Sequence, residues 1–239
     1  MSGDFIAPVA RIEARVEERD WPWARANEAA VAANWERRLA RTPGVFNGRV
    51  LMVVEHALDG DAFRAVFAPV DYRDFLAWID LGFPDGTVAN GFAMGALKAA
   101  DGAYVLGVMG RRTANAGKIY FAAGTPDMSD VRADGSVDLA GSVTRELLEE
   151  TGLGEPDIRV GKGWTVVRSG ALLAFLRPVS CPLPAGVIRD RVLAHIARDP
   201  EPELDGVRLA RGPEDIDEAL MPGYLRSYLR WSFGREWPA

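Results

Sequence analysis

Three glutamates lie within five positions of the segment SVTRELLEETGL, residues 142–153: Glu146, Glu149 and Glu150. Each residue of a helix turns by about 100°, so these side chains share one helix face. Like charges at such spacings destabilise a helix by about a few tenths of a kcal/mol per pair. Hard divalent cations such as Mg²⁺ bind carboxylate oxygens and replace this repulsion by coordination. The segment therefore predicts a metal site, and the alternative interpretation is a solvated acidic face.

The predicted helix has recognisable ends. Asp138 is a candidate N-cap, Gly152 stands where a left-handed residue ends a helix, and Leu153 follows it. The glutamates fall in the second half of the helix, where the helix dipole disfavours negative charge. Arg145 directly precedes them, and we expect it to hold one carboxylate in place. These features favour the metal site over the solvated face.

The run RELLEETGL, from Arg145 to Leu153, resembles the second half of the Nudix box, the sequence motif of the Nudix hydrolase family. In that motif an Arg-Glu pair, an apolar residue, a Glu-Glu pair and a Gly-apolar pair stand at fixed spacings, and the chain matches each of them. The first half does not match in its usual place, because Val131 and Val137 stand where the family has a glycine and a glutamate.

A displaced first half lies upstream, in FAAGTPDMSDV, residues 121–131. Gly124 is followed after five residues by Asp130, which resembles the Gly-rich turn and the acidic residue of the family. This alignment requires an insertion of seven residues, VRADGSV, residues 131–137. We expect the insertion to form a surface excursion that leaves Gly124 beside the acidic helix, since added loop length costs little free energy.

The resemblance implies a Mg²⁺ site, with Mn²⁺ as the alternative ion, and a role for each matched residue. It implies that Glu146, Glu149 and Glu150 bind the metal, and that Glu149 and Arg145 also take part in catalysis. It further implies that the glycine turn at Gly124 lets the backbone approach a diphosphate.

Three further candidates lie outside the box. Many members of the family use another glutamate as a base or metal ligand, and in RDPEPELDGVRL we prefer Glu203 to Glu201. Arg111 and Arg112 precede a strand that leads into the glycine turn. They resemble the phosphate-gripping region of Nudix enzymes that act on coenzyme A.

A second resemblance concerns the substrate. Trp35, FNGRV (residues 46–50) and DYRDFLAW (residues 71–78) resemble the Nudix group that hydrolyses UDP-glucose and UDP-galactose. This implies cleavage of a nucleoside diphosphate derivative, such as a UDP-sugar, into a nucleoside monophosphate and a phosphorylated product. The alternatives are a diphosphatase of the coenzyme A or ADP-ribose type, and a Nudix-like module that binds a nucleotide without turnover.

Composition sets limits on the class of protein. The chain has 239 residues, 48% of them hydrophobic, and a net charge of −6. No basic patch suggests nucleic acid as a partner. The resemblance implies a small nucleotide derivative as the ligand, and a homodimer is left open. The single cysteine, Cys181, excludes a disulfide framework, and His56 and His195 stand alone without metal-ligand spacing. Neither an export leader nor a membrane span is apparent, which favours a cytoplasmic location.

The hydrophobic pattern predicts the elements that position these residues. Two strand pairs surround the turns LDGD and ADG, and helices are expected near residues 72–83, 142–153, 187–199 and 221–233. Strands and helices that alternate in this way predict an α/β/α sandwich with a mixed sheet, which is the Nudix architecture. We predict a helical N-terminal extension over residues 1–46 and a Nudix-like domain over residues 47–239 that ends in a helix.

Overall fold

Residues 3–42, 44–113 and 115–234 are described by a computed structural model, in which two β-sheets are combined with six α-helices. The strands are β1 (Phe5–Val9), β2 (Arg11–Val16), β3 (Arg49–Asp59), β4 (Ala62–Asp71), β5 (Asn90–Lys98), β6 (Tyr104–Met109), β7 (Ile119–Tyr120), β8 (Ala123–Gly124), β9 (Arg159–Val160), β10 (Trp164–Ser169), β11 (Leu172–Ser180) and β12 (Leu204–Ala210). The helices are α1 (Pro22–Ala26), α2 (Glu28–Arg41), α3 (Tyr72–Asp80), α4 (Leu139–Thr151), α5 (Ala185–Ile196) and α6 (Gly223–Phe233). Among the described residues, no helix is both long and apolar enough to cross a membrane.

The larger sheet is mixed, as predicted. Its strand order is β1-β10-β11-β5-β6-β12, and the short strands β7, β8 and β9 pair with β6, β5 and β11. β11 and β5 run parallel, with Leu172 opposite Asn90, whereas β10 and β12 pair antiparallel with their neighbours. The central strands β5 and β11 are buried along most of their length, as expected for strands covered on both faces.

Helices cover both faces of this sheet. Gly95 of β5 faces α4, because a Cβ at this position would lie 2.5 Å from Leu147 Cδ1. Phe92, three residues earlier and therefore on the opposite face, contacts Tyr224 of α6 with ring centroids 5.1 Å apart. α5 packs against β12 beside α4. The predicted α/β/α sandwich is confirmed.

The smaller sheet packs on the larger one through aromatic residues. Its order is β2-β4-β3, and β3 and β4 form the hairpin predicted around LDGD. Phe63 and Phe67 of β4 are fully buried, and their ring centroids lie 5.8 and 6.4 Å from that of Phe175 in β11. Burial of one such ring stabilises the fold by about 1.5–3 kcal/mol, so these contacts fix the two sheets together.

The N-terminal segment departs from the helical extension predicted for residues 1–46. α1 and α2 are present, but residues 5–16 form β1 and β2 instead of helix. β1 pairs antiparallel with β10 as an edge of the central sheet, and β2 pairs parallel with β4. The signal was available in the sequence, because Arg11, Glu13 and Arg15 alternate with apolar residues at the period of a strand.

The insertion at residues 131–137 is a closed excursion, as predicted. Val131 and Val137 form an antiparallel bridge, and Asp138 N donates to Asp130 O over 2.8 Å. The chain therefore returns to the point where it left, and Asp130 stays next to Asp138, the N-cap of the acidic helix. The excursion also adds backbone hydrogen bonds to β2, one of them from Val16 N to a carbonyl of the excursion, and so covers an otherwise free sheet edge.

We predict that Gly152→Ala destabilises the protein more than Gly60→Ala. Both glycines have left-handed backbones, with φ of 70° and 60°, where a Cβ costs about 1–2 kcal/mol. At Gly152 the new Cβ would also lie 2.7 Å from His195 Nδ1, whereas nothing lies within 4 Å at Gly60. Denaturant unfolding of both variants measures the difference, and equal losses would contradict the packing of His195 against this helix end.

Candidate active site

The acidic helix α4 begins and ends where the sequence predicts. Asp138 is its N-cap, and the side chain accepts a hydrogen bond from Gly141 N over 2.8 Å. Gly152 ends the helix in the left-handed conformation, and Leu153 behind it is buried. Leu147 anchors the helix to the central sheet and is 1% exposed. These contacts fix the rotation of α4, and therefore the direction in which its glutamates point.

The three glutamates of α4 lie in different environments. The side chain of Glu146 is only 15% exposed and Glu150 as a residue 5%, whereas Glu149 is exposed. The alternative interpretation, a solvated acidic face, is therefore wrong for two of the three. Burial raises the pKa of Glu146 to about 7, against the opposing effect of Arg145. A helix that buries carboxylates in this way carries charge that a bound cation would stabilise.

Glu150 has one carboxylate oxygen satisfied and one unsatisfied. Ala123 N donates to Oε1 over 3.0 Å, while Oε2 is buried and has no hydrogen-bond partner among the described residues. Burial, together with charge repulsion from Glu203, Glu146 and Glu149, raises the pKa of Glu150 to about 8. An unsatisfied buried carboxylate oxygen is costly, which makes this atom a strong candidate to contact a cation.

Arg145 holds two carboxylates at once. Its Nη2 lies 3.1 Å from Glu146 Oε1 and 3.1 Å from Asp130 Oδ1. The Asp130 side chain is only 4% exposed, and burial raises the pKa of this carboxyl. The sequence predicted one such ion pair, and the structure adds the second, to the acidic residue of the displaced half-box.

Gly124 lies directly against the acidic helix. It belongs to β8, which pairs with β5, and a Cβ at this position would lie 2.3 Å from Glu146 Oε1. Any other residue at position 124 would displace the glutamate, so the close approach explains the glycine. The expectation that the insertion leaves Gly124 beside α4 agrees with this geometry.

Glu203 lies near the acidic helix although it is distant in sequence. It precedes β12, is exposed, and raises the pKa of both Glu146 and Glu150 by charge repulsion. A cleft of about 190 Å³ is lined by Glu203 together with Glu149, Glu150, Glu201, Asp199 and His195. The lining is strongly acidic, so an anionic ligand here needs a cation or hydrogen-bond donors to offset repulsion.

Residues 110–113, beside this cleft, include the two predicted phosphate-binding arginines. Gly110 N donates to Glu203 O over 2.7 Å, which ties these residues to the segment before β12. The Arg111 side chain is 96% exposed, and that of Arg112, 73% exposed, lies 3.6 Å from a carboxylate oxygen of Glu201. Arg111 Nε lies 4.0 Å from Asp205 Oδ2, so an incoming anion would compete with a carboxylate for each of these exposed guanidinium groups.

Sequence reasoning missed two residues at this site. In the sequence His195 stands alone without metal-ligand spacing, but its Nε2 lies 2.9 Å from Glu149 O, one of the last carbonyls of α4. Those carbonyls lack partners within the helix, which is the physical reason for this contact. The second is Tyr120 of β7, whose ring is buried and whose pKa is raised by burial and by the charges of Glu150 and Glu203.

The carboxylate oxygens of this site are the type of ligand that a divalent cation prefers, but they do not converge on one position. Over residues 3–42, 44–113 and 115–234, no group of three or more His, Cys, Asp or Glu side chains is arranged to hold a metal ion. One reason is that Glu146 Oε1 points at Arg145 and Glu150 Oε1 at Ala123 N. The free Oε2 of Glu150 and the exposed Glu149 are oxygen donors of the kind that Mg²⁺ prefers.

Comparisons with known proteins give structural neighbours only. No family model matches the chain, and neither does any curated protein. A Nudix hydrolase from M. smegmatis, RenU, has 15% identity and a TM-score of 0.40, covering 60% of this chain and 83% of its own. A MutT protein from Methanosarcina mazei Go1 has 16% identity and a TM-score of 0.36, covering 60% and 91%. A variant of the Bacillus subtilis pyrophosphohydrolase BsRppH has 13% identity and a TM-score of 0.30, covering 58% and 70%. At these values neither a family nor a substrate is assigned from the neighbours.

We predict that metal-free Glu150→Gln is more stable than the wild type at pH 9 but not at pH 5. The folded pKa of Glu150, about 8, lies above its usual value of 4.5. Its stabilising contribution is therefore complete below about pH 4.5 and is lost as the pH rises through about 8. Glutamine resembles the protonated form and avoids that loss.

Thermal unfolding with a chelator at both pH values measures this effect. Glu149→Gln is the control, because its exposed side chain should give no such gain at pH 9. Equal melting temperatures of wild type and Glu150→Gln at pH 9 would contradict the burial of an unsatisfied carboxylate.

Proposed function

We propose that the chain is a divalent-metal-dependent hydrolase of the Nudix type that cleaves a phosphoanhydride in a nucleoside diphosphate derivative. The observation that carries this proposal is the buried, unpartnered Oε2 of Glu150 beside the half-buried Glu146, on a helix packed against the Gly124 turn. The match of RELLEETGL to the Nudix box supports the same conclusion independently.

Each candidate residue has a role in this proposal. Glu146, Glu149 and Glu150 would hold Mg²⁺ or Mn²⁺, which would neutralise phosphate charge and lower the pKa of a bound water. Arg145 keeps Glu146 oriented, as its 3.1 Å contact indicates. Gly124 leaves room for the backbone to approach the diphosphate.

The reaction itself needs a general base and residues that bind the phosphates. Water adds to one phosphorus, the bond from that phosphorus to the bridging oxygen breaks, and the proton of the water passes to a carboxylate. Glu203 is the proposed acceptor of that proton, with Glu149 as the alternative, because both line the acidic cleft. Arg111 and Arg112, exposed at the side of the cleft, would bind the phosphate oxygens.

A UDP-sugar is the substrate that we propose, on the strength of FNGRV, DYRDFLAW and Trp35. Coenzyme A and ADP-ribose type substrates are the alternatives within the same chemistry. We also propose that the protein binds a small molecule and not nucleic acid, and that it acts in the cytoplasm. The proposed reaction is compatible with a homodimer.

A second candidate function is a Nudix-like module that binds a nucleotide without turnover. The observation in its favour is that no three metal-ligating side chains of the described residues are arranged to hold an ion. Turnover of any diphosphate derivative in the presence of Mg²⁺ decides against this candidate.

We predict that the wild type hydrolyses a member of a nucleoside diphosphate panel with Mg²⁺ but not with a chelator. Glu150→Gln keeps the shape of the side chain and should lower kcat by about 100-fold or more, because the carboxylate is lost while folding survives. Glu203→Gln should lower kcat by about 10²–10⁴-fold with little change in metal affinity if it accepts the proton. Phosphate or monophosphate release measures both.

Glu55→Gln is a matched control, since it removes an exposed carboxylate from β3. It should leave turnover unchanged. Binding of panel compounds without hydrolysis, with Mg²⁺ and at alkaline pH, would contradict catalysis and support the binding module. Turnover of coenzyme A but of no nucleotide sugar would keep the chemistry and change the substrate.

We further predict that Arg112→Gln raises KM more than it lowers kcat, because an exposed guanidinium that only binds phosphate contributes to ground state and transition state alike. Arg11→Gln is the control, a similarly exposed arginine on β2. Steady-state kinetics of both variants test this. An unchanged KM for Arg112→Gln would exclude it from phosphate binding.

A further inference from the structure

Tyr120 has a buried ring, and its hydroxyl contacts Asn115, near the carboxylates of Glu150 and Glu203 that line the acidic cleft. The residue is 7% exposed and lies opposite Gly107 in the pairing of β7 with β6. Opposed residues of an antiparallel pair point to the same face of the sheet. A Cβ at Gly107 would lie 2.6 Å from Leu204 Cδ2, so this is the face on which the residue after Glu203 packs.

The same strand leads directly to the carboxylates. Three residues after Tyr120, Ala123 N holds Glu150 Oε1. Burial, together with the negative charges of Glu150 and Glu203, raises the pKa of Tyr120 to about 12. The hydroxyl therefore keeps its proton at any ordinary working pH.

The hydroxyl has a donor as its neighbour but no acceptor. Asn115 Nδ2 donates to the Tyr120 oxygen over 3.1 Å. A tyrosine hydroxyl has one proton to donate in addition to its acceptor lone pairs. No acceptor for that proton is present among the described residues, so the proton is available to a ligand. Asn115 follows Arg111 and Arg112 closely in the chain, and the Arg112 side chain lies 3.6 Å from Glu201, which lines the cleft.

We propose that Tyr120 is a further residue of the active site and that its hydroxyl donates a hydrogen bond to a phosphate oxygen of the bound diphosphate. Donors are scarce in a cleft lined by carboxylates, and a neutral hydroxyl approaches an anion without being paired off by its acidic neighbours. Asn115 acts as a positioning residue that fixes the direction of the hydroxyl. This inference rests on the proposed diphosphate chemistry.

The test compares Tyr120→Phe with Tyr104→Phe in the full chain. Tyr120→Phe keeps the ring and should lower kcat/KM by about 10- to 100-fold on whichever panel compound the wild type hydrolyses, the usual effect of one lost hydrogen bond to a charged group. Tyr104→Phe removes a buried hydroxyl that bonds Ser232 over 2.6 Å on the α6 face, and it should lower stability without changing kcat/KM. Asn115→Ala should show a smaller loss of the same kind.

The rise in melting temperature on adding Mg²⁺ distinguishes direct donation to the phosphate from a purely structural role of Tyr120. If Tyr120 only positioned Glu150, its replacement would also reduce the rise in melting temperature on adding Mg²⁺, whereas the proposal expects that rise to be unchanged. Unchanged kcat/KM in Tyr120→Phe, or a loss explained by a smaller Mg²⁺ shift, would overturn the inference while the proposed hydrolase survives.

Calorimetric measurement of inorganic pyrophosphate binding tests the role of Tyr120 even if no panel compound is hydrolysed. Weaker binding by Tyr120→Phe than by wild type and Tyr104→Phe is the expected result, and equal binding overturns it. A wild type that neither hydrolyses a panel compound nor binds pyrophosphate would overturn this inference and the proposed function together.

Discussion

The burial of carboxylates on one face of α4 is the constraint on which the rest of the site depends. Glu150 is 5% exposed with one oxygen unpartnered, and Glu146 is half-buried beside it. A single guanidinium, that of Arg145, serves both Glu146 and Asp130. Folding of the chain therefore leaves negative charge in a poorly solvated place, which raises the pKa values of these groups and predisposes the site to bind a cation. Carboxylates with strongly raised pKa values are typical of functional sites, because burying them lowers the stability of the fold.

The scaffold holds this charge in place from three directions. Leu147 packs where Gly95 has no side chain, which seats α4 on the central sheet. Gly124 allows the β8 turn to touch Glu146, and His195 of α5 binds a carbonyl in the last turn of α4. Each contact depends on a small residue or on an unsatisfied backbone group. The positions of the carboxylates are thus set by packing and by hydrogen bonds to the backbone, which restrict their motion more than solvent contact would.

The insertion shows how added chain can leave a site undisturbed. It departs after Asp130 and returns at Asp138, and the hydrogen bond between these two residues closes it. Its backbone then pairs with β2, a strand of the small sheet. The excursion therefore links the N-terminal part of the chain to the residue that caps α4. Loop extension costs little free energy, and the added strand pairing offsets part of that cost.

The sequence by itself determined the elements whose signals are local. The caps of α4 at Asp138 and Gly152 follow from residue type at a helix end, and the LDGD hairpin follows from turn chemistry between two strand patterns. The shared face of the three glutamates follows from helical geometry alone. The alternation of polar and apolar residues in RIEARV, which forms β2, is also a local signal.

Only the tertiary structure decided which glutamates are buried and what lies beside them. The helical period places Glu146, Glu149 and Glu150 together, but the distance of each from β5 and β8 depends on how α4 rotates on the sheet. The contact of His195 with Glu149 and the position of Tyr120 near Glu150 join residues separated by about thirty positions or more. No local pattern encodes such pairs, because their proximity results from the packing of α5 and β7 around α4, and packing is a property of the whole chain.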